Sequence, residues 1–211
     1  MLEGPDGAGA QRPELRNSAR AIHESADGRG RVCDDRPGAA RRRAPVADSF
    51  KIAEYLDDAY PDRPTLFGGE GGRALSRFVE SWTQRTIHPF VSTSRALLDI
   101  HYSLAAPDQA YFRQSREKIF GKPLEAVIVG DEARLEGFLD KLKPLRSLLD
   151  GQKFLGGATP LFADYIVFGA FQWLRIVSPW QVLPAGDAVS DWFERCLDLH
   201  GGEGRKVSAA A

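Results

Sequence analysis

The chain is predicted to be an all-α helical bundle, and three features predict it. Apolar residues return at spacings of three and four along six or so stretches, the repeat of a helix with one buried face. No stretch keeps up the apolar–polar alternation of a half-buried strand. Proline and glycine clusters separate the stretches, at Pro61 to Pro64, Gly121 to Pro123, Gly151 to Gly157 and Gly201-Gly202.

The elements follow in order. Asp48 or Ser49 caps a first helix in which Ile52, Leu56 and Tyr60 repeat at helical spacing. Pro61 and Pro64 end it and open a linker to about Gly72. A long helix is expected from Arg73 to Leu104, with Leu75, Phe78, Val79 and Trp82 on one face and a kink at Pro89. A helix from about Asp108 carries Tyr111, Phe112 and Ile119. Leu124 to Val129 is a short apolar piece of either type. One helix is expected from Asp131 to Asp150, striped by Leu135, Phe138, Leu139, Leu142, Leu145 and Leu149. Phe162 to Val177 is apolar on nearly every side and should be the buried centre. A last helix, Asp187 to His200, presents Val189, Trp192, Phe193, Cys196 and Leu197 before Gly201-Gly202 stops it.

The first 45 residues are of a different kind. They contain no aromatic residue and no lysine, whereas 9 of the 21 arginines lie there, and Gly, Ala, Arg and Pro fill 27 of the 45 positions. Such a segment buries too little apolar surface to offset the entropy of ordering it. Three readings stay open for residues 1–46: a basic tail, a disordered low-complexity extension, and a stretch read out of frame from GC-rich coding DNA, which characteristically yields arginine without lysine. All 21 aromatic residues follow position 49.

Length and composition set the class. A chain of 211 residues, 43% hydrophobic, can bury a sizeable core. A net charge of −1 argues against a general nucleic-acid binder. The two cysteines, Cys33 and Cys196, form no CxxC pair, which fits a reducing compartment. With no apolar run of membrane length and no secretory h-region, neither a membrane partner nor export is expected, and a cytoplasmic location is the default.

Two motifs carry chemistry. Asp48-Ser49 opens a helix, where free backbone N–H groups and the positive end of the dipole suit a carboxylate. An ordinary N-cap is the competing reading of the pair. The second motif is Phe154-Leu155-Gly156-Gly157 followed by Leu161-Phe162-Ala163-Asp164-Tyr165. Leu161 at the cap has no side-chain oxygen, which costs roughly 0.5–2 kcal/mol; Thr159-Pro160 offers an earlier cap with proline at the first helical position. His88 and His101 lie thirteen residues apart without an HExxH or an i, i+4 partner, so no metal site is expected. No GxSxG is present for a hydrolase.

Taken together, these motifs resemble the glutathione S-transferase family, whose helical domain has a Gly-Gly turn, a capping residue and an Ala-Asp pair at the start of its central helix. The narrower resemblance is to the bacterial β-aryl-etherase and fungal etherase-type glutathione transferases. It is carried by Ala53-Glu54-Tyr55-Leu56, Tyr60-Pro61-Asp62-Arg63-Pro64, Ser115-Arg116-Glu117, Gly156-Gly157, Phe162-Ala163-Asp164-Tyr165 and Asp191-Trp192-Phe193-Glu194-Arg195.

The resemblance implies a glutathione-transferase C-terminal-like helical domain over 70–206. Residues 47–69 would be a remnant of the thioredoxin-like domain's last helix plus the linker, preceded by a disordered or scrambled segment in place of the rest of that domain. It implies glutathione as co-substrate, with Asp48 and Ser49 as glutathione contacts, and a pocket for a hydrophobic small molecule along the face of Trp82, Thr86 and Phe90. Core packing is the competing role for Trp82. Asp164 is implied as the structural cap, and no catalytic residue is carried over, since neither Ser18 nor Ser25 sits in a strand-turn-helix context and Pro45 is too close to Asp48 to match the family's cis-proline.

The implied reaction is attack of the glutathione thiolate on an electrophilic aromatic or ether carbon, impaired in this chain. The alternatives are a non-enzymatic helical interaction module and an inactive truncated product. The family is homodimeric, and the dimer is expected to be impaired here.

Overall fold

The computed structural model describes residues 48–210. The expectations for residues 1–46 lie outside the described residues. The chain divides into two compact units, Met1–Ile52 and Ala53–Ala211. Helix α1, Ser49–Ala59, begins in the first and continues in the second. In the first unit, Asp48 Oδ1 accepts from the N–H groups of Phe50 and Lys51 at 3.0 and 3.1 Å, which satisfies two donors the helix leaves open at its start.

The regular elements described in the second unit are all helices, and no strand occurs among the described residues. After α1 come α2 (Glu70–Ser92), α3 (Ala96–Ser103), α4 (Ala106–Phe120), the single turn α5 (Leu124–Val127), α6 (Asp131–Lys141), α7 (Lys143–Leu149), α8 (Phe162–Val177), α9 (Ala188–Leu197) and α10 (Leu199–Lys206). Helix α8 is the centre. Its Ala163, Val167, Ala170, Phe171 and Leu174 are buried against Val79, Ile87 and Val91 of α2 and against Val189, Trp192 and Phe193 of α9. Leu97, Leu124 and Val127 form a smaller core between α3 and α5.

Three expected helices are broken. The helix expected from Arg73 to Leu104 starts at Glu70, runs through Pro89 and ends at Ser92. The break comes where Ser92, Thr93 and Ser94 turn their hydroxyls back onto carbonyls: Ser92 Oγ donates to His88 O (2.6 Å), Thr93 Oγ1 to Pro89 O (2.7 Å) and Ser94 Oγ to Val91 O (2.9 Å). Hydroxyls that serve these acceptors compete with the next helical turn. Across the break, Asp131 accepts the Arg95 N–H and pairs with Arg134, whose guanidinium also donates to Thr93 O.

The helix expected from Asp131 to Asp150 divides at Leu142, whose N–H reaches back three residues to Leu139 O (3.2 Å). Pro144 has no N–H for the carbonyl of Asp140, so the ladder cannot continue, although the leucine stripe does. The last expected helix stops at Leu197, where the Asp198 N–H reaches back three residues to Arg195 O (3.3 Å), and the segment Leu199–Lys206 that follows is kinked by left-handed backbone at His200, Gly201 and Gly202. Helix α8 begins at Phe162, so Thr159-Pro160 is not its cap.

Candidate functional site

At the start of α1, Asp48 has φ of 94°, a left-handed conformation that a residue with a Cβ adopts at a cost. The following Ser49 is exposed and occupies the first helical position. Asp48 already engages the N–H groups of Phe50 and Lys51. The Ser49 N–H and hydroxyl remain at the exposed positive end of the helix, a combination suited to an incoming anion.

Asp164 is completely buried at the start of α8. Its Oδ1 accepts from Leu155 N (2.7 Å) and the Trp192 indole Nε1 (2.9 Å). Its Oδ2 accepts from Gly156 N (3.0 Å) and Leu161 N (2.9 Å). One carboxylate therefore joins the Gly-Gly turn, the helix cap and α9. The sequence motif pointed to the contact with Leu161; the contacts with Trp192, Leu155 and Gly156 left no local signal.

The capping residue Leu161 is not idle. A Cβ on Gly156 would lie 2.5 Å from Leu161 Cγ and 2.7 Å from Thr159 O, so the glycine is required by close packing. The Phe162 N–H, the first of the buried helix, donates to Leu66 O of the linker (2.7 Å). The linker is held in turn by Asp57, which accepts from Thr65 Oγ1 (2.6 Å) and Leu66 N (2.7 Å), and by Phe67, edge-on to Phe162 at 5.5 Å.

Of the three residues on the α2 face, Phe90 is buried and stacks flat on Phe138, centroids 3.9 Å apart. Trp82 is half-buried and packs against the main core, and Thr86 is half-buried. His88, on the same helix, stacks on Trp173 at 6.0 Å, and burial holds its imidazole below the ordinary histidine range. His101 is buried and receives a guanidinium N–H of Arg113 on its Nε2 at 3.4 Å, since arginine only donates. Among the described residues no three His, Cys, Asp or Glu side chains converge on a metal-sized site.

A family model described as "Glutathione S-transferase, C-terminal domain" matches residues 74–199. The chain belongs to the glutathione S-transferase family. The glutathione S-transferase-like protein ustS of Aspergillus flavus is 28% identical over 143 residues, which are 61% of this chain and 50% of that protein. Among solved structures, the glutathione transferase GSTFuA3 of Phanerochaete chrysosporium is 30% identical with a TM-score of 0.57, covering 80% of this chain and 64% of that one. Glutathione transferase CsGST63524 of Ceriporiopsis subvermispora, solved in complex with glutathione, shares the fold at 20% identity and a TM-score of 0.55, covering 77% of this chain and 64% of that one. This chain thus spans half the length of that curated relative and less than two thirds of those two structures. The matched family region runs from early α2 to the first residue of α10, so it contains the Asp164 junction and Trp82, Thr86 and Phe90. Asp48 and Ser49 lie before it. No helix among the described residues is long and apolar enough to cross a membrane.

Proposed function

We propose that this glutathione transferase relative binds glutathione through the N-terminus of α1, with a peptide carboxylate taken up by the Ser49 N–H and hydroxyl. The observation that carries the reading is the left-handed backbone of Asp48. Strained backbone persists where the surroundings over-determine it, commonly at ligand sites. Here it turns Asp48 so that its carboxylate serves the second and third N–H groups of the helix and leaves the first, with the Ser49 hydroxyl, for the ligand.

The reaction class that belongs with this grip is thiol transfer: the glutathione thiolate attacks an electrophilic carbon of an aromatic or aryl-ether compound, displacing the leaving group. Trp82 and Thr86 form the half-buried edge of the surface that would take the apolar co-substrate, and Phe90, pinned on Phe138, backs it. A cysteinyl thiol has a pKa of about 8.5 and stays mostly protonated at neutral pH. Asp48 and Ser49 act on a carboxylate and not on the thiol, so they orient glutathione without activating it. Among the described residues no group is assigned to the thiol, and on this reading turnover is slow.

Calorimetric titration of the full chain with glutathione tests the grip, with Ser49→Ala as the variant. A charge-assisted hydrogen bond is worth about 1.5–3 kcal/mol, so Ser49→Ala should weaken binding by about tenfold or more. Conjugation of glutathione to 1-chloro-2,4-dinitrobenzene should be measurable and slow. Absence of saturable glutathione binding, or binding indifferent to Ser49→Ala, refutes the proposal.

A further inference from the structure

The helical unit contains a cavity of about 320 Å³ between the C-terminal half of α8, the loop from Ser178 to Asp187, α9 and the chain's last described residues. That volume is at the lower end of the range for small-molecule sites. Its walls combine apolar and aromatic side chains, among them Phe171, Leu174, Trp180 and Phe193, with polar Gln181 and Ser190 and the charged Arg175 and Glu194. Neither Asp48 and Ser49 nor Trp82, Thr86 and Phe90 line it.

Two of the walls are pinned. On one side the tail is stapled to α8: Arg175 Nη1 donates to Val207 O (2.9 Å), Ala210 N donates to Arg175 O (3.0 Å), and Gln172 Nε2 donates to Gly204 O (2.7 Å). Among the described tail residues, Ala209 and Ala210 line the cavity. On the other side the Ser178 hydroxyl donates to Asp99 and accepts the Trp180 N–H (3.2 Å). The Trp180 ring is held by the Arg95 guanidinium 5.1 Å from its centroid and by Phe90 at 5.6 Å.

The charge at the rim is unequal. Glu194 is neutralised by Arg205 at 2.9 Å. Arg175 forms no ion pair among the described residues; its guanidinium meets only Val207 O and, at 3.5 Å, Gln172 Oε1, both through Nη1. Its remaining N–H groups form a donor edge with no acid to answer it.

We infer that this cavity is a binding site for a small aromatic carboxylate, one or two rings in size, with the rings against Phe171, Trp180 and Phe193 and the carboxylate on Arg175. Apolar burial supplies the affinity and the guanidinium supplies the selection for an anion. The site is built wholly from the helical unit and shares no residue with the glutathione grip proposed above.

The probe is 1-naphthoate, titrated into the full chain and followed by tryptophan emission and by calorimetry, with 1-naphthamide as its uncharged counterpart. The expected result is saturable one-to-one binding of naphthoate, with the amide weaker by about tenfold to a hundredfold. Arg175→Gln should lose a similar factor. Arg175→Lys, which keeps the charge but not the planar donor fork, should lose less than Arg175→Gln and more than nothing. Ser190→Phe, on the α9 wall, should fill the cavity and abolish binding. If Ser190→Phe fails to fold by circular dichroism, the naphthoate and naphthamide arms on the unaltered chain, with the Arg175 pair, decide the matter. Saturating glutathione should leave naphthoate affinity unchanged, whatever the outcome at Ser49. Equal affinity for the amide, displacement by glutathione, or no saturation below about 10 mM overturns the assignment.

Discussion

Replacing Asp164 by alanine should be the most damaging single change in the helical unit. The carboxylate is fully buried and accepts four hydrogen bonds, from Leu155 N, Gly156 N, Leu161 N and Trp192 Nε1. Bonds to a charged acceptor are worth about 1.5–3 kcal/mol each, so the gross interaction is on the order of 6–12 kcal/mol. Against it stands the desolvation of the carboxylate, several kcal/mol, which the mutant recovers. The four donors left behind are partly rehydrated as the cavity relaxes. The net loss should be about 3–5 kcal/mol, the range for breaking a buried charged network, and a large share of the 5–15 kcal/mol that a domain has.

Asp164→Asn sharpens the test. One amide oxygen can keep two of the donors, but the NH₂ group must then face two N–H groups, so the isosteric variant should still lose at least half as much. Trp192→Phe deletes one donor and should cost less than Asp164→Ala, about 1.5–3 kcal/mol. Urea unfolding followed by circular dichroism at neutral pH measures all three. A midpoint for Asp164→Ala within error of the parent, at an unchanged slope, would refute the role assigned to this carboxylate.

Gly156→Ala places a Cβ 2.5 Å from Leu161 Cγ and 2.7 Å from Thr159 O; it should destabilise by about 1–3 kcal/mol, and adding Leu161→Ala should restore only part, because the Thr159 carbonyl remains. Burial, reinforced by the Asp164 carboxylate, pushes the Cys196 thiol from its ordinary 9.0 up to about 12. The folded state therefore keeps a proton that the unfolded chain releases, so the stabilising contribution is complete below about pH 9 and is lost as pH rises toward about 12. In a Cys33→Ser background, the urea midpoint should fall with pH over that window, and Cys196→Ala should flatten the fall; identical profiles would exclude the thiol as the cause. Asp131→Ala removes the acceptor shared by the Arg95 N–H and the Arg134 guanidinium. It should lower stability by about 1.5–3 kcal/mol and loosen the α2–α3 turn, visible as faster amide exchange at Arg95.

The sequence alone carried the fold class, and particular residues show why. Helix α8 is apolar on nearly every side, a pattern that fits only a helix surrounded by others, and it is the centre of the core. Gly156-Gly157 and Asp164 were legible because a turn and a helix cap are local events, decided within a few residues. The breaks were local as well, yet outweighed: Pro144 stood in plain view inside a leucine stripe that ran on past it, and Ser92-Thr93-Ser94 read as part of a longer amphipathic run. Periodicity records which face is buried and is silent on where the axis changes direction.

Only the tertiary structure decided the rest. Trp192 meets Asp164 across 28 residues, and Arg95 meets Asp131 across 36. The cavity beside Arg175 exists because the tail at Val207 and Ala210 returns to the end of α8. The strained backbone of Asp48 is equally invisible in an Asp-Ser pair that could be any N-cap. Helical repeat, capping and turn chemistry are set by neighbours along the chain, and one sequence therefore determines them by itself. Which buried donor meets which carboxylate, and where space is left unfilled, depends on how finished helices pack against one another.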